Sequence, residues 1–455
     1  MKYQCNRKVN RVTVLGIVFA AVVAVALVAR RSWLPVLIGI GGGLPATASV
    51  VVAGNGIPMF SIAAVAAGAA LLRTRPLHTA HWSANALAVF LAWATVVTGA
   101  APWLFAGARV LVPRDGIDDQ LLDPGTLAHS VSNVAQLSYL LLAACVLLFL
   151  VRTGGTATAL RTALLVGTVL TAVRGVLVQA GIDFFGPLTD TMPIQYSLAV
   201  PGERLRGVFS EPSELAAFAL PAAAYFVITA LRSPSRARSL WWVAAVLSCA
   251  NLLQAASGTA VVASAAVIAL AAVVLAVRWV VRGGVGTVWM VLGGLVLAIV
   301  ALTIGDQLAA PVQELVEDKV GSQSYDARTG ADVFSWGVVR DTLALGAGLG
   351  ANRPSSFGMT LLSCVGVPGT LAFAVFVVGV LVRGFRAPQA AAAAAGLTAL
   401  LAAKLVGTPD LSTPVLWLFL AACAASAWPS SAPDATTSIP NRTRTPTPTP
   451  TGAHA

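Results

Sequence analysis

Long apolar runs separated by short polar segments dominate the sequence. Runs of about 20 residues recur from Val12 to Trp428, and a helix of about 20 apolar residues spans the hydrocarbon core of a bilayer. The runs lie at about 12–29, 33–53, 57–72, 85–106, 127–151, 160–182, 213–231, 240–254, 257–281, 286–305, 357–382, 389–406 and 412–428. This pattern predicts an all-α fold, a polytopic transmembrane helix bundle formed by residues 1–428.

The composition agrees with a membrane protein and excludes a soluble enzyme. Hydrophobic residues make up 57% of the chain and charged residues 10%, whereas about 25% are charged in soluble domains. The net charge of +11 comes from basic residues in short clusters between apolar runs, which is typical of cytoplasmic loops. We therefore expect the lipid bilayer, and not nucleic acid, as the partner of the basic residues.

The charged residues predict the orientation of the helices. If every run from residue 57 onward crosses once, the basic clusters, such as Arg73/Arg75 and Arg383/Arg386, fall on one side. That side is cytoplasmic by the positive-inside trend. Every acidic residue except Asp434 lies in the opposite, exterior loops. The polar chemistry is therefore expected on the exterior side.

The two chain ends need separate treatment. Thirteen crossings with a cytoplasmic C-terminus would leave Lys2 and Arg7 outside. Counting the Gly- and Pro-interrupted stretch 33–72 once, as a broken or re-entrant span, gives about twelve spans, with thirteen as the alternative. Residues 429–455 are rich in Ser, Thr and Pro, which predicts a disordered cytoplasmic tail.

Three exterior loops are long enough to build a site: 107–126, 183–212 and 306–356. Apolar residues at helical spacing in the last loop predict two amphipathic helices, lying on the outer membrane face or capping a cavity. The two sets are Leu308, Val312, Leu315 and Val316, and Val333, Trp336, Val339 and Leu343.

Arginines stand out in two of these loops because the positive-inside trend disfavours them there. They are Arg204 and Arg206 in the first loop, and Arg328, Arg340 and Arg353 in the second. A guanidinium suits bidentate contact with phosphate, so converging arginines could hold the pyrophosphate of a lipid-linked substrate. The alternative is that each pairs with a nearby acid, such as Glu203 or Asp341.

Two ionisable residues lie within or near the predicted spans. Arg174 lies inside run 160–182 and is a candidate for the same pyrophosphate site, with pairing to Asp183 as the alternative. Lys404 is expected to reach the interface or to pair with Asp410.

Hydroxyl and carboxylate groups begin two of the apolar runs. Ser210 or Ser213 could cap the helix that follows, and Glu211 is the first candidate for a general base on a sugar hydroxyl. Ser257 and Thr259 could line a polar cavity, with helix capping as the alternative.

The glycine-rich stretch 345–353 predicts a flexible turn that brings Arg353 over the membrane. The dispersed histidines predict neither a metal site nor a metal cofactor.

Three segments in order resemble the bacterial O-antigen polymerase and ligase family of integral membrane glycosyltransferases. The first is Arg206-Gly-Val-Phe-Ser-Glu-Pro-Ser-Glu-Leu before a helix, and the second is Ser257-Gly258-Thr259. The third is the large exterior loop with Gly346-Ala-Gly-Leu-Gly-Ala-Asn-Arg353 and the helix after it. The resemblance covers about residues 200–385.

The resemblance implies a metal-independent, cofactor-free transfer of glycan repeats from an undecaprenyl-pyrophosphate carrier, on the outer side of the bacterial cytoplasmic (inner) membrane. By the same resemblance Arg206 binds the pyrophosphate, and Arg328, Arg340 and Arg353 compete for a second such role. A chain-length regulator and a flippase of the pathway are the implied partners. Loop 306–356 lacks the histidine of the family's ligases, which favours a polymerase.

Two other classes stay open at this stage. A transporter or flippase of a lipid-linked glycan would use a similar bundle without chemistry, with discontinuous helices near the midplane. A membrane scaffold protein would need no cavity, because its arginines would only pair with local acids.

Overall fold

The computed structural model describes residues 10–29, 31–52, 54–74, 81–112, 123–193, 199–282 and 323–428. Most of these residues are helical. The helices are α1 (Val14–Val28), α2 (Leu34–Gly42), α3 (Met59–Leu71), α4 (Trp82–Leu104), α5 (Val131–Thr153), α6 (Thr156–Gln179), α7 (Gly186–Thr189), α8 (Pro212–Arg232), α9 (Ser235–Ala255), α10 (Gly258–Arg282), α11 (Gln323–Asp341), α12 (Phe357–Thr360), α13 (Gly366–Arg386), α14 (Ala391–Val406) and α15 (Pro414–Ala427). A π-helical turn, Leu361–Val365, joins α12 to α13.

The few strands form two small antiparallel sheets. β1 (Arg11–Val12), β2 (Ala48–Val52) and β3 (Asn55–Pro58) make one sheet in the order β1-β2-β3. β4 (Arg109–Val112) and β5 (Asp123–Thr126) pair in the second sheet. The second sheet closes part of the predicted exterior loop 107–126, of which residues 113–122 lie outside the described ranges.

Five helices are long and apolar enough to cross a membrane: Trp82–Leu104, Val131–Thr153, Thr156–Gln179, Pro212–Arg232 and the composite Phe357–Arg386. Their exposed faces are apolar as well. On α4, Val89, Val96 and Trp103 recur every seven residues and all are exposed, so this face is suited to lipid and not to water. The all-α class is confirmed, and the number of spans stays a prediction.

The helix bundle has two chemically different ends. At the basic end, Arg152 Nη1 donates to Thr74 Oγ1 (3.3 Å) and Arg232 Nη1 donates to the Pro388 carbonyl (2.6 Å). At the opposite end, which we name the polar end, α4 and α6 finish and α5 and α8 begin. These helices thus alternate in direction, and the described parts of the predicted exterior loops lie at the polar end.

The N-terminal region is interrupted where the sequence predicts a broken or re-entrant span. Thr13, the N-cap of α1, donates to the Ala48 carbonyl (2.9 Å), and β1 places Arg11 opposite Val51. α1 therefore begins beside the β2–β3 hairpin, whereas α2 begins at the basic end, where Pro35 lies against Gly155. Two short antiparallel helices and a hairpin occupy 33–72, and Arg11 lies at the hairpin end and not with the basic clusters.

The nine residues of α2 extend about 14 Å at 1.5 Å per residue, about half of the bilayer core. α2 can pack tightly on α6 because two glycines face that helix. A Cβ at Gly39 would lie 2.5 Å from the Ala159 carbonyl oxygen, and one at Gly43 would lie 2.7 Å from that of Ala163. This close approach of small residues is typical of membrane helices. It fixes the helix that carries Arg174.

The second predicted amphipathic helix of the large exterior loop is present as α11. The first falls in residues 306–322, outside the described part of the chain. α11 forms where the spacing predicts a helix, and Val333, Trp336 and Leu343 of the predicted apolar set are exposed, so its placement on the outer membrane face stays a prediction. The buried face consists instead of Ser335, Val338, Val339 and Thr342. The reason is polar: Ser335 and Asp332 hydrogen-bond to the turn that follows, at Asn352, Ser355 and Ser356.

The glycine-rich stretch 345–353 is a tightly packed turn, whereas the sequence predicted a flexible one. Gly346, Gly348 and Gly350 all have positive φ angles, and a Cβ at Gly346 would lie 2.6 Å from the Cys364 carbonyl oxygen. The amides of Ala347 and Gly348 donate to the π-helical turn, both at 2.8 Å. The turn is therefore fixed against α4, α5 and the start of α13.

Candidate functional site

A buried cluster of arginines and aspartates lies at the polar end. Arg174, in α6, is 1% exposed. Its Nε and Nη2 donate to the two oxygens of Asp183 (3.0 and 2.8 Å), and its Nη1 and Nη2 donate to those of Asp190 (2.7 and 2.6 Å). Nη1 also donates to the Gly207 carbonyl (2.8 Å). A guanidinium has five N–H donors, so all five of Arg174 are used within the protein.

Arg206 shares one of these carboxylates. It is 4% exposed, donates to both oxygens of Asp190 and also donates to the Phe209 carbonyl (2.9 Å). Gly207 brings this segment against α6: its φ is +56°, and a Cβ there would lie 2.3 Å from Thr171 Cγ2. Glycine is therefore required for the approach of the 206–209 segment to Arg174.

The cluster is electrically balanced. Two guanidinium groups, of Arg174 and Arg206, face the carboxylates of Asp183 and Asp190. Burial by itself would raise the pKa of Asp190, but the hydrogen bonds from Arg174 and Arg206 outweigh it and hold the pKa below its ordinary value. Balance of this kind is what allows charges to stay buried.

The lowered pKa of Asp190 predicts acid sensitivity of the fold. A carboxylate with a folded-state pKa below the unfolded value of about 3.9 stabilises the protein above that pH. This contribution is lost as the pH falls through the folded-state pKa. We expect the temperature of thermal unfolding in detergent to decrease when the pH is lowered below about 4. In Asp190→Asn the decrease, measured from the variant's own unfolding temperature at pH 7, should be smaller. Equal pH dependence in the two proteins would contradict this account.

A small surface pocket, with an internal volume of about 20 Å³, adjoins the cluster. Three of the predicted pyrophosphate-binding residues, Arg174, Arg204 and Arg206, line it together with Glu203 and Gln179. Arg204 is exposed, so its guanidinium is the accessible one at the rim. The three arginines therefore lie close together, as the sequence predicted, while their binding of pyrophosphate stays a prediction.

The arginines of the large loop lie elsewhere. Arg328 and Arg340 are exposed on α11, and Arg353 is exposed after the glycine turn. None of these three lines the pocket beside Arg174. A role for them at that pocket would require a movement of α11 or of the turn.

The two glutamates before α8 have different surroundings. Glu211 is the N-cap residue, without a capping hydrogen bond from its side chain, and it accepts a hydrogen bond from Ser213 Oγ. Glu214 Oε2 accepts from the amide (3.2 Å) and the hydroxyl (2.9 Å) of Ser210. The expected capping by Ser210 or Ser213 is replaced by Glu214, which reaches back to Ser210.

Lys404 departs from the expectation of an interfacial or paired lysine. It is 1% exposed, in the last turn of α14. Its Nζ donates to the Thr408 carbonyl (3.2 Å) and to Thr413 Oγ1 (2.9 Å). Among the described residues no carboxylate oxygen lies within 4 Å of it. The ammonium is therefore held by neutral oxygens deep at the polar end.

Of the two hydroxyl residues predicted at the start of α10, the structure describes the side chain of Ser257. Ser257 is 3% exposed, and its carbonyl accepts from the Val261 amide (3.2 Å). The Thr259 side chain lies outside what the structure describes. A cavity-lining role for either residue stays a prediction.

Sequence reasoning missed Asp190 as the residue that joins the arginines. It named Asp183 as the alternative partner of Arg174, and that pair is present. The available signal was position, since Asp190 is the next acid after Asp183 in the loop that leads from the helix of Arg174 to Arg206. No family model matches the chain, and a search of curated proteins finds no match to it.

Proposed function

We propose that this protein is a membrane glycosyltransferase. It joins glycan repeats carried on undecaprenyl pyrophosphate, on the outer side of a bacterial cytoplasmic membrane, as an O-antigen or exopolysaccharide polymerase. The observation that carries the proposal is the single pocket lined by Arg174, Arg204 and Arg206 at the polar end of an apolar helix bundle. Guanidinium groups are suited to holding a pyrophosphate and to stabilising its charge as it leaves.

The contacts of the three arginines indicate different roles. Arg174 has all its donors engaged, and it fixes Asp190 and the Gly207 carbonyl. Asp190 in turn orients Arg206. Arg204 is exposed at the rim of the pocket, where an entering pyrophosphate meets it first. Fixed charges of this kind need no rearrangement as negative charge develops on the leaving group.

A carboxylate is the second requirement, because the acceptor hydroxyl must lose its proton. Glu211 and Glu214 begin the helix that follows Arg206, so both lie close in sequence to the proposed pyrophosphate site. A positioned carboxylate contributes about 10² to 10⁴-fold to the rate of such reactions.

A flippase or transporter of a lipid-linked glycan is the second candidate. Two observations favour it: the short α2 followed by the β2–β3 hairpin, and the buried Lys404. Short or interrupted helices and buried charges are typical of transporters.

The glycan phenotype of a deletion strain separates the two candidates. We expect loss of long surface polysaccharide by gel, with single repeats accumulating on lipid at the exterior face of the membrane. A plasmid copy of the wild-type gene serves as the control and should restore the long polymer. Intermediates trapped on the cytoplasmic side would indicate a flippase, and an unchanged profile would exclude both.

A further inference from the structure

The N-terminal region stops being helical about halfway along α6. α2 ends at Gly42, and the next residue, Gly43, lies against Ala163 and Gly167 of α6. Arg174 lies further along α6, about 10 Å closer to the polar end at 1.5 Å per residue. From Gly43 the chain continues as a non-helical turn, residues 44–47, and then enters β2.

This turn contacts the loop that carries Asp190 through its backbone. Inside a helix the backbone N–H and C=O groups are bonded to each other, so few are available to another segment. Here the Ala46 carbonyl accepts from the Met192 amide (3.2 Å), and the Ala48 amide donates to Thr191 Oγ1 (2.8 Å). The interruption of the helix therefore supplies backbone groups that hold the loop.

The side chain of Thr47 adds a contact on the other side of Asp190. Thr47 is fully buried, and its Oγ1 donates to the Thr189 carbonyl (2.9 Å). Thr191 Oγ1 also donates to the Ala48 carbonyl (3.1 Å). Segment 46–48 thus holds the loop both immediately before and immediately after Asp190.

The position of Asp190 decides the geometry of the pocket arginines. Its carboxylate is shared by Arg174 and Arg206, and both arginines line the pocket. Thr189, whose carbonyl Thr47 holds, also accepts a hydrogen bond at its Oγ1 from Arg174 Nη1 (3.3 Å). A paired contact of a guanidinium with a carboxylate requires both groups at a fixed distance and angle.

We propose that Thr47 is a positioning residue of the pyrophosphate site, an assignment that rests on the proposed function. Segment 46–48 fixes the loop around Asp190, and Asp190 orients Arg206 at the pocket. This gives the interrupted N-terminal region a role in the site, because a continuous helix would have no free backbone groups to hold the loop.

The pH dependence of unfolding separates a positioning role from a merely structural hydrogen bond. Arg174 and Arg206 face Asp190 and hold its pKa below the ordinary value, and Asp183 faces Arg174 from the other side. In T47V the carboxylate moves away from the arginines, so its folded-state pKa rises towards the unfolded value. Less stability is then lost as the pH falls through that range. We expect the unfolding temperature in detergent to decrease less than in wild type when the pH is lowered from 7 to below about 4.

Polymer formation measures the same displacement at the pocket. We expect T47V to lower polymer formation about tenfold in the complemented deletion strain. This is less than the roughly 100-fold effect of a misplacement by about 1 Å, because Thr191 still holds the loop. T47S keeps the hydroxyl and should restore most of the polymer.

A control and a second variant accompany T47V. T229V removes a hydroxyl that donates to the Tyr225 carbonyl (2.7 Å) in α8, away from the pocket, and should match the wild type in both measurements. T191V removes both hydrogen bonds of the Thr191 hydroxyl to Ala48. It should reproduce the changes of T47V, and it replaces T47V if that variant does not reach the membrane.

Two results would overturn the assignment. One is wild-type polymer in both T47V and T191V, and the other is an unfolding temperature that is lowered equally at both pH values, as a structural hydrogen bond alone would give. An unchanged polysaccharide in the deletion strain would instead overturn the proposed function. The unfolding measurement would still decide whether segment 46–48 positions Asp190.

Discussion

An Asp190→Ala variant should lose about 3–5 kcal/mol of its free energy of unfolding, the cost of removing one partner of a buried ion pair. Asp190 accepts hydrogen bonds from both Arg174 and Arg206, and its side chain is 14% exposed. Its removal leaves the two guanidinium groups with only Asp183 as a counter-ion. Thermal unfolding in detergent micelles would measure the loss.

Asp183→Ala is the matched control for this prediction. The Asp183 side chain is 33% exposed and contacts only one of the two arginines, so water can replace part of what it provides. We expect a clearly smaller loss of stability than in Asp190→Ala. A thermal midpoint of Asp190→Ala equal to that of the wild type would contradict the role of Asp190 as the shared anion.

An Arg206→Ala variant should lower polymer formation at least about 100-fold, while the protein stays in the membrane. Asp190 still pairs with Arg174 in this variant, so the fold is expected to survive. Arg206→Lys should fail as well, because an ammonium cannot reproduce the paired donors toward Asp190. The measurement is the length of surface polysaccharide in the deletion strain complemented with each variant.

The control for Arg206 is the Arg386→Ala variant. Arg386 is an exposed arginine at the basic end, and the variant should support wild-type polymer.

Arg340→Ala is informative in a different way. The sequence predicts the same loss for it as for Arg206→Ala, but Arg340 is exposed on α11 and does not line the pocket. Loss in both variants would indicate that α11 moves over the pocket, and wild-type polymer in both would remove the proposed pyrophosphate site.

Local patterns were sufficient for the helices and for one ion pair. Apolar runs predicted the positions of the long helices because a helix that spans a bilayer is marked by a continuous apolar stretch of sufficient length. The Arg174–Asp183 pair was predictable as an alternative because the two residues are close in sequence and lie at the same helix end. The grouping of Arg174, Arg204 and Arg206 followed from their loops facing one side.

The remaining features depend on contacts between distant segments. Spacing predicted the helix at Trp336 but left open whether its apolar face lies on the membrane or over a cavity. Asp332 and Ser335 accept hydrogen bonds from the turn at 352–356, and these contacts decide which face of α11 is buried. Arg11 lies beside the hairpin because β1 pairs with β2, a contact that charge counting cannot see. The burial of Lys404 depends likewise on how α14 and α15 meet.

The pairing of Arg174 with residues close behind it has a consequence for how the protein is made. Nine and sixteen residues separate Arg174 from Asp183 and Asp190, so both counter-ions leave the ribosome soon after the helix that carries the arginine. Contacts of such short range form early, because little chain entropy is lost in closing the loop. Both counter-ions of Arg174 are thus synthesised before α8, so neutralising the charge of α6 requires no helix that follows it.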